Sequence, residues 1–440
     1  MKRVVLSVLF VVVVLASLGP VRNYDYFWHL ATGRWITEHR ALPATDPFTI
    51  ASDRTPWING EWLFEVVLYG LRGVNVSLLR SLFIAALFAV LFYFSENLLL
   101  TMLAFAGAMA TLDLRPASIA ALFVAIAIVI ARRNNVWLYA LLVVLWINVH
   151  PSALLAPVIA FLLTRNWRIT LAGAAGLLVN PFGIYGVLAP LKLTLFASGG
   201  EFVNAEWLPS APLAFPLLYL SLIVWTAAAL AAAFKSGGYA AAVQMVLGLL
   251  LAYLAIAHVR NQPLWFAAFP LLVDWRFGSR VLESMAAAAL VIFVAVRSDH
   301  RLGFPPERFP IAAVAHLKGL KGNIYNPDQF GGFLIWSFYP ERRVLTDGRN
   351  ELYHAFIPEY AKARVDGRAW NALLRKYRID LAVDERRPPL EVLNAATGEK
   401  TRMPAWMAYW PPKEWELVAE DQAAMVFARR GVSSRSRTEK

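Results

Sequence analysis

The fold is decided by a polar stretch at residues 21–65, VRNYDYFWHLATGRWITEHRALPATDPFTIASDRTPWINGEWLFE. It lies between two strongly apolar segments, yet it contains aspartates, glutamates, histidines and several tryptophans. A plain connector between membrane helices needs none of these side chains. Asp25 comes just after the first apolar segment, which ends near Pro20, so its carboxylate is expected at the edge of the bilayer. The stretch is therefore interpreted as a catalytic loop at a membrane surface.

The composition is that of a polytopic membrane protein. Of the 440 residues, 58% are hydrophobic and 16% are charged, and apolar residues form runs of about 15 to 24, longer than a soluble core helix needs. The absence of cysteine excludes disulfides, thiolate catalysis and cysteine metal sites. The net charge of +12 does not indicate nucleic acid, because much of it lies in short connections between apolar runs, where topology and lipid headgroups account for it.

About eleven membrane spans are predicted. The first precedes Pro20 and is interpreted as an uncleaved helix; a cleaved signal peptide is the alternative, since Ala16-Ser17-Leu18 has some likeness to a cleavage site. Glu61–Leu71 is too short to span and is predicted to lie on the outer surface as an interfacial helix. The other spans are expected at 77–95, 98–112, 117–131, 136–150, 152–164, 169–187, 211–234, 238–257, 262–275 and 281–297.

The positive charges predict one orientation. Basic residues of the connections fall on one side, at Lys2, Arg3, Arg132, Arg133, Arg165, Arg168, Lys235, Arg276 and Arg280. This side is predicted to be cytoplasmic, so the first loop and the C-terminal part are expected outside an inner or plasma membrane. The opposite side collects polar residues at helix ends: Asp25, His29, Asp113, Arg115, His150, Asn180, Glu206, His258 and Arg260. Such a set is typical of a site at a membrane surface, although each residue alone can be an ordinary interfacial side chain.

A small α/β domain is predicted for residues 303–430, after a transmembrane domain at 1–302 whose first external loop is 21–76. Short β-like runs at 323–325, 343–346, 379–383, 415–418 and 425–428 alternate with helical stretches around 308–320, 352–364 and 367–377. Gly331-Gly332 and Asp347-Gly348-Arg349 are interpreted as tight turns. No nucleotide-binding glycine pattern is present, which disfavours a nucleotide-sugar donor. Residues 431–440 are polar and basic and are predicted to be disordered.

Several segments carry a resemblance to a known superfamily. A first span, an acidic external loop, a short interfacial helix and many further spans together resemble the GT-C superfamily of integral-membrane glycosyltransferases. More narrowly, the chain resembles an uncharacterised group of bacterial GT-C-like proteins in DYFWHLATGRWITEHRALPATDPFT (25–49), NGEWLFEVVLYGL (59–71), LRP (114–116), NVHPSALL (148–155), NPFG (180–183) and QFGGFLIWSFYPERRVLTDGRNELY (329–353). The resemblance covers most of the chain and implies a GT-C-like helical bundle with a C-terminal extracytoplasmic α/β domain.

The resemblance also implies a reaction. GT-C enzymes transfer a sugar from a polyprenyl-phosphate-linked donor, here to an extracytoplasmic glycan, lipid or protein acceptor. An acidic residue of the first loop serves them as general base or metal ligand, and Asp25 stands at that position. A carboxylate in reach can take the proton of an acceptor hydroxyl as the bond to the anomeric carbon forms, which gives inversion. Asn23-Tyr24-Asp25 lacks the paired acids of some members, so dependence on Mg²⁺ or Mn²⁺, with Asp25 and Asp46 as possible ligands, stays open.

The leaving lipid phosphate calls for fixed cations. Arg115 and Arg260, at predicted outer helix ends, are the candidates, with His258 as a further donor; contact with lipid headgroups is the alternative. His29 lies one helical turn after Asp25 and can pair with it. The predicted substrate-binding set is His29, Arg34, Asp46, Glu61, Arg115, His150, His258 and Arg260. Structural alternatives stand for Asp46, in the turn signal Thr-Asp-Pro-Phe, and for Glu61, a first-turn acid.

Two other function classes compete with the glycosyltransferase. One is a non-catalytic membrane protein of the same fold that binds lipid-linked glycans or helps to assemble them. The other is a transporter or flippase, which is disfavoured because the sequence has few mid-span charges, no evident inverted repeat and no ATP-binding sequence.

Overall fold

The computed structural model describes residues 2–198, 205–236, 239–274, 279–393 and 400–431. The chain separates into two compact units: unit 1 comprises residues 1–21 and 58–303, and unit 2 comprises residues 22–57 and 304–440. This division differs from the predicted domain boundaries, because residues 22–57 group with the α/β part. The cause is packing: Trp28, Phe48 and Trp57 share one buried core with the C-terminal residues. The predicted disordered tail, from residue 432 on, lies outside the described residues.

The α-helices are numbered in chain order. They are α1 (Lys2–Ser17), α2 (Tyr26–His39), α3 (Trp62–Gly70), α4 (Val76–Ser95), α5 (Leu98–Ala108), α6 (Pro116–Arg132), α7 (Val136–Ile147), α8 (Leu155–Thr164), α9 (Trp167–Gly176), α10 (Ile184–Ser198), α11 (Pro216–Ser236), α12 (Tyr239–Ala257), α13 (Gln262–Leu272), α14 (Arg280–Arg297), α15 (Ile311–Leu317), α16 (Asp328–Phe338), α17 (Phe356–Ala363) and α18 (Gly367–Lys376). Short 3-10 turns occur at Pro151–Leu154, Ala205–Trp207, Val259–Asn261, Asn350–Leu352 and Ala405–Ala408.

Unit 1 is helical, and asparagines fix where several of its helices begin. The side chains of Asn75, Asn97, Asn135 and Asn166 accept backbone N–H groups in the first turns of α4, α5, α7 and α9. Such caps satisfy donors that a helix start leaves free. The helices pack around a continuous apolar core, with α1 against α4, α6 against α13 and α8, and α7 against α9. Trp146 and Trp265 are fully buried in this core.

The predicted spans are only partly matched by long helices. In the described part of the chain, two helical segments are long and apolar enough to cross a membrane, Val76–Ser95 and Pro216–Phe234. Further apolar helices have 10 to 17 residues, and the eleven-span bundle stays a prediction. Many exposed large apolar side chains lie on unit 1 helices, including Ile223, Tyr253 and Val296, a pattern expected of surfaces that contact lipid. A helix, α3, is present within the predicted range Glu61–Leu71, and its position at a membrane surface stays a prediction.

Unit 2 is built on a small mixed sheet. Its strands are β1 (Asn323–Tyr325), β2 (Ile379–Glu385), β3 (Leu390–Leu393), β4 (Lys400–Met403), β5 (Trp415–Glu420) and β6 (Ala424–Arg429). The main sheet has the order β1-β2-β6-β5, with β1 and β2 parallel and the other pairs antiparallel; β3 and β4 form a separate hairpin. The predicted β-like runs at β1, β2, β5 and β6 are thereby confirmed, as are the helices α15, α17 and α18. The predicted run at 343–346 forms only isolated bridges, in which Val344 pairs with Thr49 and Ile324.

The prediction of a tight turn at Gly331-Gly332 is wrong, because both glycines lie within α16. They serve close packing instead. A Cβ on Gly331 would lie 2.1 Å from the Thr346 carbonyl oxygen, and one on Gly332 would lie 3.0 Å from the Tyr24 carbonyl oxygen. The pair therefore lets α16 lie directly against α2 and the 346–347 backbone.

Candidate functional site

Asp25, the predicted general base, lies in unit 2 at the start of α2. The Trp28 indole Nε1 donates to the Asp25 Oδ1 over 3.1 Å, and the Asp25 backbone N–H donates to the Asn23 Oδ1. The carboxylate is partly exposed, and the helix start favours its negative charge. A Cβ on Gly348 would lie 2.5 Å from the Asp25 Oδ1. Any other residue at 348 would therefore push the Asp25 carboxylate out of its present position.

The two other candidates on α2 have different surroundings. His29 is 2% exposed, and its ring lies against Trp28, with the ring centroids 3.6 Å apart. It is therefore part of the packed face of α2. Arg34 lies on the outer face, where its Nε pairs with the Glu38 Oε1 over 2.8 Å. That exposed pair at i,i+4 spacing supports the helix by only a few tenths of a kcal/mol.

Asp46 belongs to a buried ion triad with Arg349 and Asp347, called here the buried triad. The Arg349 Nη2 lies 2.9 Å from the Asp46 Oδ1, and the Arg349 Nε donates to both Asp347 oxygens over 3.0 Å. All three side chains are at 0% exposure. The Arg349 guanidinium also lies over the Trp57 ring, 4.5 Å from its centroid. The triad thus joins the first loop to the C-terminal part of unit 2.

The oxygens of Asp46 are fully engaged by the protein. They accept the N–H of Phe48 over 3.0 Å, the N–H and hydroxyl of Thr49, and the Ser52 hydroxyl. Burial alone raises the pKa of Asp46, but the Arg349 charge and these hydrogen bonds outweigh it and hold the pKa below its usual value. The structural interpretation of Asp46 therefore fits better than contact with an acceptor or a metal.

Glu351 is a carboxyl that the sequence did not single out. It lies in the 3-10 turn Asn350–Leu352, two residues after Arg349. Burial raises the pKa of Glu351 to about 7, and the charges of Asp347 and Asp25 add to the rise. A carboxyl that titrates near neutrality is suited to proton transfer. The sequence does not distinguish Glu351 from an ordinary surface acid, because an acid in a polar turn is usually solvated.

Unit 1 brings together five of the predicted residues, called here the cationic cluster: Glu61, Arg115, His150, His258 and Arg260, with Glu206 and Trp207. Arg115 precedes α6, and its Nη1 forms an ion pair with the Glu206 Oε1. Burial raises the pKa of Glu206, but Arg115 and then Arg260 outweigh this and lower it. Two arginines thus act on one carboxylate.

Trp207 organises one side of the cationic cluster. The Arg260 guanidinium lies over its ring, 4.7 Å from the centroid, and the His258 ring meets it edge-on at 5.3 Å. The His258 Nδ1 lies 2.7 Å from the Trp207 carbonyl oxygen. Because Arg260 is stacked on an aromatic ring, its planar donors are held in one orientation.

His150 and Glu61 form the other side of the cationic cluster. The His150 Nε2 lies 3.9 Å from the Glu61 Oε1, and both arginines interact electrostatically with this ring. Asn148 fixes the two segments, since its Oδ1 accepts the Trp62 Nε1–H over 2.8 Å and its carbonyl accepts the Leu63 N–H. The sequence NVHPSALL therefore ties α3 to the end of α7.

Two polar residues of the predicted outer side have local roles. Asp113 pairs with Arg80 over 3.3 Å, and Arg80 also donates to the Ser17 carbonyl over 2.8 Å. The sequence missed Arg80 because it falls near the start of an apolar run. Asn180 stabilises its own turn through Leu177, Phe182 and Gly183.

Metal ligation depends on several side chains that meet at one place. Among the described residues, no three His, Asp or Glu side chains are grouped so that they can hold a metal ion. Dependence on Mg²⁺ or Mn²⁺, with Asp25 and Asp46 as possible ligands, stays a prediction.

Comparison with known proteins bears on the fold. No protein-family model matches the chain, and no curated protein matches it in sequence. Among solved structures, the chain is similar to the oligosaccharyltransferase of Archaeoglobus fulgidus in its apo form, with a TM-score of 0.57 and 10% identity over 92% of this chain and 74% of that chain. At this identity the likeness concerns the fold. The GT-C superfamily and the narrower bacterial group within it therefore stay predictions.

Proposed function

We propose that the protein is an inverting membrane glycosyltransferase that moves a sugar from a polyprenyl-phosphate-linked donor to an extracytoplasmic acceptor. The observation that carries the proposal is the cationic cluster, in which Arg115 and Arg260 share one carboxylate, Glu206. Two guanidinium groups at one place suit a phosphate, which needs several fixed donors. The GT-C-like fold supports the same chemistry by analogy.

The reaction assigns a distinct part to each site. The acceptor hydroxyl oxygen forms a bond to the anomeric carbon of the sugar while the bond from that carbon to the lipid phosphate oxygen breaks. The proton of the hydroxyl goes to the Asp25 carboxylate, and the electron pair leaves with the lipid phosphate. Arg115 and Arg260 stabilise the developing negative charge. Trp28 orients Asp25 through its indole N–H.

The principal test is Asp25→Asn in the full-length protein. Purified protein in lipid nanodiscs is incubated with a panel of polyprenyl-phosphate sugars and acceptors, and release of free polyprenyl phosphate is measured by chromatography. We expect a loss of about 10²- to 10⁴-fold, the usual contribution of a general base. Asp53→Asn is the matched control, because Asp53 lies in the same loop at 56% side-chain exposure and forms a surface pair with Arg343.

Donor binding separates the remaining possibilities. If the Asp25→Asn variant binds a donor lipid but no longer releases its phosphate, the enzymatic role stands. If wild type and variant both bind donor without any turnover, the protein is instead a binding or assembly partner of lipid-linked glycans. Cation dependence is tested by repeating the turnover assay with a chelator and then with Mg²⁺ or Mn²⁺ restored.

The proposed orientation has the N-terminus in the cytoplasm and residues 22–57 and 304–431 outside the membrane. The chain contains no cysteine, so single substitutions report on one position each. We expect Asp53→Cys to react with a membrane-impermeant maleimide in intact cells, and Arg165→Cys to react only after permeabilisation. The reverse labelling pattern would overturn the orientation and the extracytoplasmic acceptor with it.

A further inference from the structure

A cleft on unit 2 has no part in the proposed reaction. Its volume is about 430 Å³, and it is lined by Asn371, Arg375, Lys413, Glu414, Arg429 and Arg430. Three separate elements supply these residues: α18, the segment before β5, and the end of β6. We call it the basic cleft.

The backbone fixes the geometry of the basic cleft. Trp415 of β5 pairs directly with Arg429 of β6. The Arg430 N–H donates to the Glu414 carbonyl over 2.8 Å, and the Arg430 Nε donates to the Pro412 carbonyl over the same distance. Residues 371 and 375 are four apart in α18, so they lie on one helical face. The lining is therefore held by regular structure.

The lining of the basic cleft has more positive than negative side chains. Four cationic side chains face one carboxylate, that of Glu414. Within the described residues, neither Arg375 nor Lys413 has an ion-pair partner. The Arg429 Nε is buried and has no hydrogen-bond partner there, and its guanidinium lies 5.3 Å from the centroid of the Trp415 ring, which is 2% exposed. A buried donor left open by the protein is suited to a ligand oxygen.

We propose that the basic cleft binds a phosphate group, either a phosphomonoester or a diphosphate. Guanidinium forks match the tetrahedral oxygens of phosphate, and an ammonium adds a point charge. A group with two or more negative charges can engage cations from all three elements at once, which a single carboxylate cannot. The proposal is independent of the proposed transferase reaction.

The test measures binding of inorganic pyrophosphate to the full-length protein in phosphatidylcholine nanodiscs. Equilibrium dialysis with radiolabelled pyrophosphate is carried out in an R115Q/R260Q background, so that the cationic cluster does not contribute. The test variant adds R375Q/K413Q/R430Q and keeps Arg429, whose packing on Trp415 supports the fold. We expect the Kd to rise at least about tenfold, because charge-assisted hydrogen bonds are lost.

The matched control removes the same charge elsewhere on unit 2. Lys318, Lys321 and Lys362 are exposed, and K318Q/K321Q/K362Q is expected to change the Kd by less than about twofold, as charge alone does at distant exposed sites. If both triple variants weaken binding equally, the effect is one of net charge and the proposal is overturned. Unchanged binding in the R375Q/K413Q/R430Q variant overturns it as well.

A second arm identifies the source of the phosphate. Phosphatidic acid is added to the nanodiscs, and pyrophosphate binding is measured again. Competition that depends on Arg375, Lys413 and Arg430 indicates a lipid headgroup as the natural ligand. Binding that is unaffected by the lipid indicates a soluble or acceptor-borne phosphate. Either result supports a phosphate site, and turnover is not needed for the measurement.

Discussion

The buried triad and the cationic cluster combine the same kinds of charged group at different degrees of burial. In unit 2, one guanidinium, that of Arg349, serves two carboxylates at 0% exposure. In unit 1, two guanidinium groups act on the carboxylate of Glu206, and the Glu61 carboxylate lies near His150 in the same cluster. The first arrangement is closed to solvent. In the second, the Glu206 side chain is 40% exposed, while that of Arg115 is 10% exposed.

The difference shows that an arginine near a carboxylate can serve either stability or ligand binding, depending on burial. A fully buried pair holds a fold together because removing one partner leaves an uncompensated charge in a medium of low dielectric. A partly exposed pair contributes little to stability. Burial therefore favours a structural role for Arg349, whereas contact of Arg115 with a ligand stays part of the proposed function.

The largest expected effect is on stability, from Arg349→Leu. The variant leaves Asp46 and Asp347 buried without their cation, which costs about 3–5 kcal/mol. Thermal unfolding of the full-length protein, followed by tryptophan fluorescence, is expected to show a strongly lowered Tm. D46N/R349L/D347N is the control: with the buried charges removed together, it should recover part of the loss. A single variant as stable as wild type would show that the triad does not support the fold.

A smaller effect, on turnover and not on stability, is expected from Arg115→Gln. Loss of one fixed cation at the leaving phosphate should lower kcat/KM about 10²-fold. The Tm should change far less than in Arg349→Leu, since Glu206 is 40% exposed and Arg260 still acts on it. Arg402→Gln is the matched control, because Arg402 and Glu391 form an exposed pair at 3.7 Å. A large fall in Tm together with normal turnover of the folded fraction would place the cationic cluster in the same class as the buried triad.

The smallest effect is a pH-dependent one at Glu351, beside the buried triad. The pKa of Glu351 is raised from 4.5 to about 7 in the folded state. Between these two pH values the folded protein keeps the Glu351 proton, whereas the unfolded chain releases it. This stabilisation is present at low pH and is lost as the pH rises through the folded pKa. Glu351→Gln cannot ionise, so relative to wild type it should gain about 2 kcal/mol between pH 5 and pH 7.5.

The measurement for Glu351 is the difference in Tm between variant and wild type at the two pH values. Glu341→Gln, at an exposed position of the same unit, is measured alongside as the control for loss of one carboxylate. A constant offset for Glu351→Gln would show that its carboxyl titrates as in an unfolded chain. The burial that raises the pKa of Glu351 would then be overturned as the cause of the pH dependence.

Much of the architecture could be predicted from the sequence, because it depends on local patterns. Apolar runs predicted the helical character of unit 1, and alternating runs predicted β1, β2, β5 and β6. Helix α16 was missed, since Gly331-Gly332 is a turn signal in sequence while the glycines in fact allow close packing. The span predicted at 169–187 is interrupted, since α9 ends at Gly176 and α10 begins at Ile184, and apolar composition alone does not reveal that break.

The candidate sites could be predicted only in part. Arg115, His150, His258 and Arg260 were singled out by their positions at helix ends, and the structure brings them together around Glu206 and Trp207. The partner of Arg349 was not foreseeable, since Asp46 lies about 300 residues away in the sequence and only tertiary packing pairs them. Glu351 escaped notice for the same reason: its pKa depends on burial and on charges from distant segments.

The discontinuity of unit 2 sets an order of events during synthesis. Residues 22–57 leave the ribosome early, but the rest of their core follows only after residues 58–303 have been made. Trp28, Phe48 and Trp57 must wait without their partners while the whole of unit 1 is translated. A chain cut short before residue 348 would lack Gly348, which lies against Asp25, and Arg349, which pairs with Asp46. Protein shortened at its far end is therefore expected to lose order near its beginning.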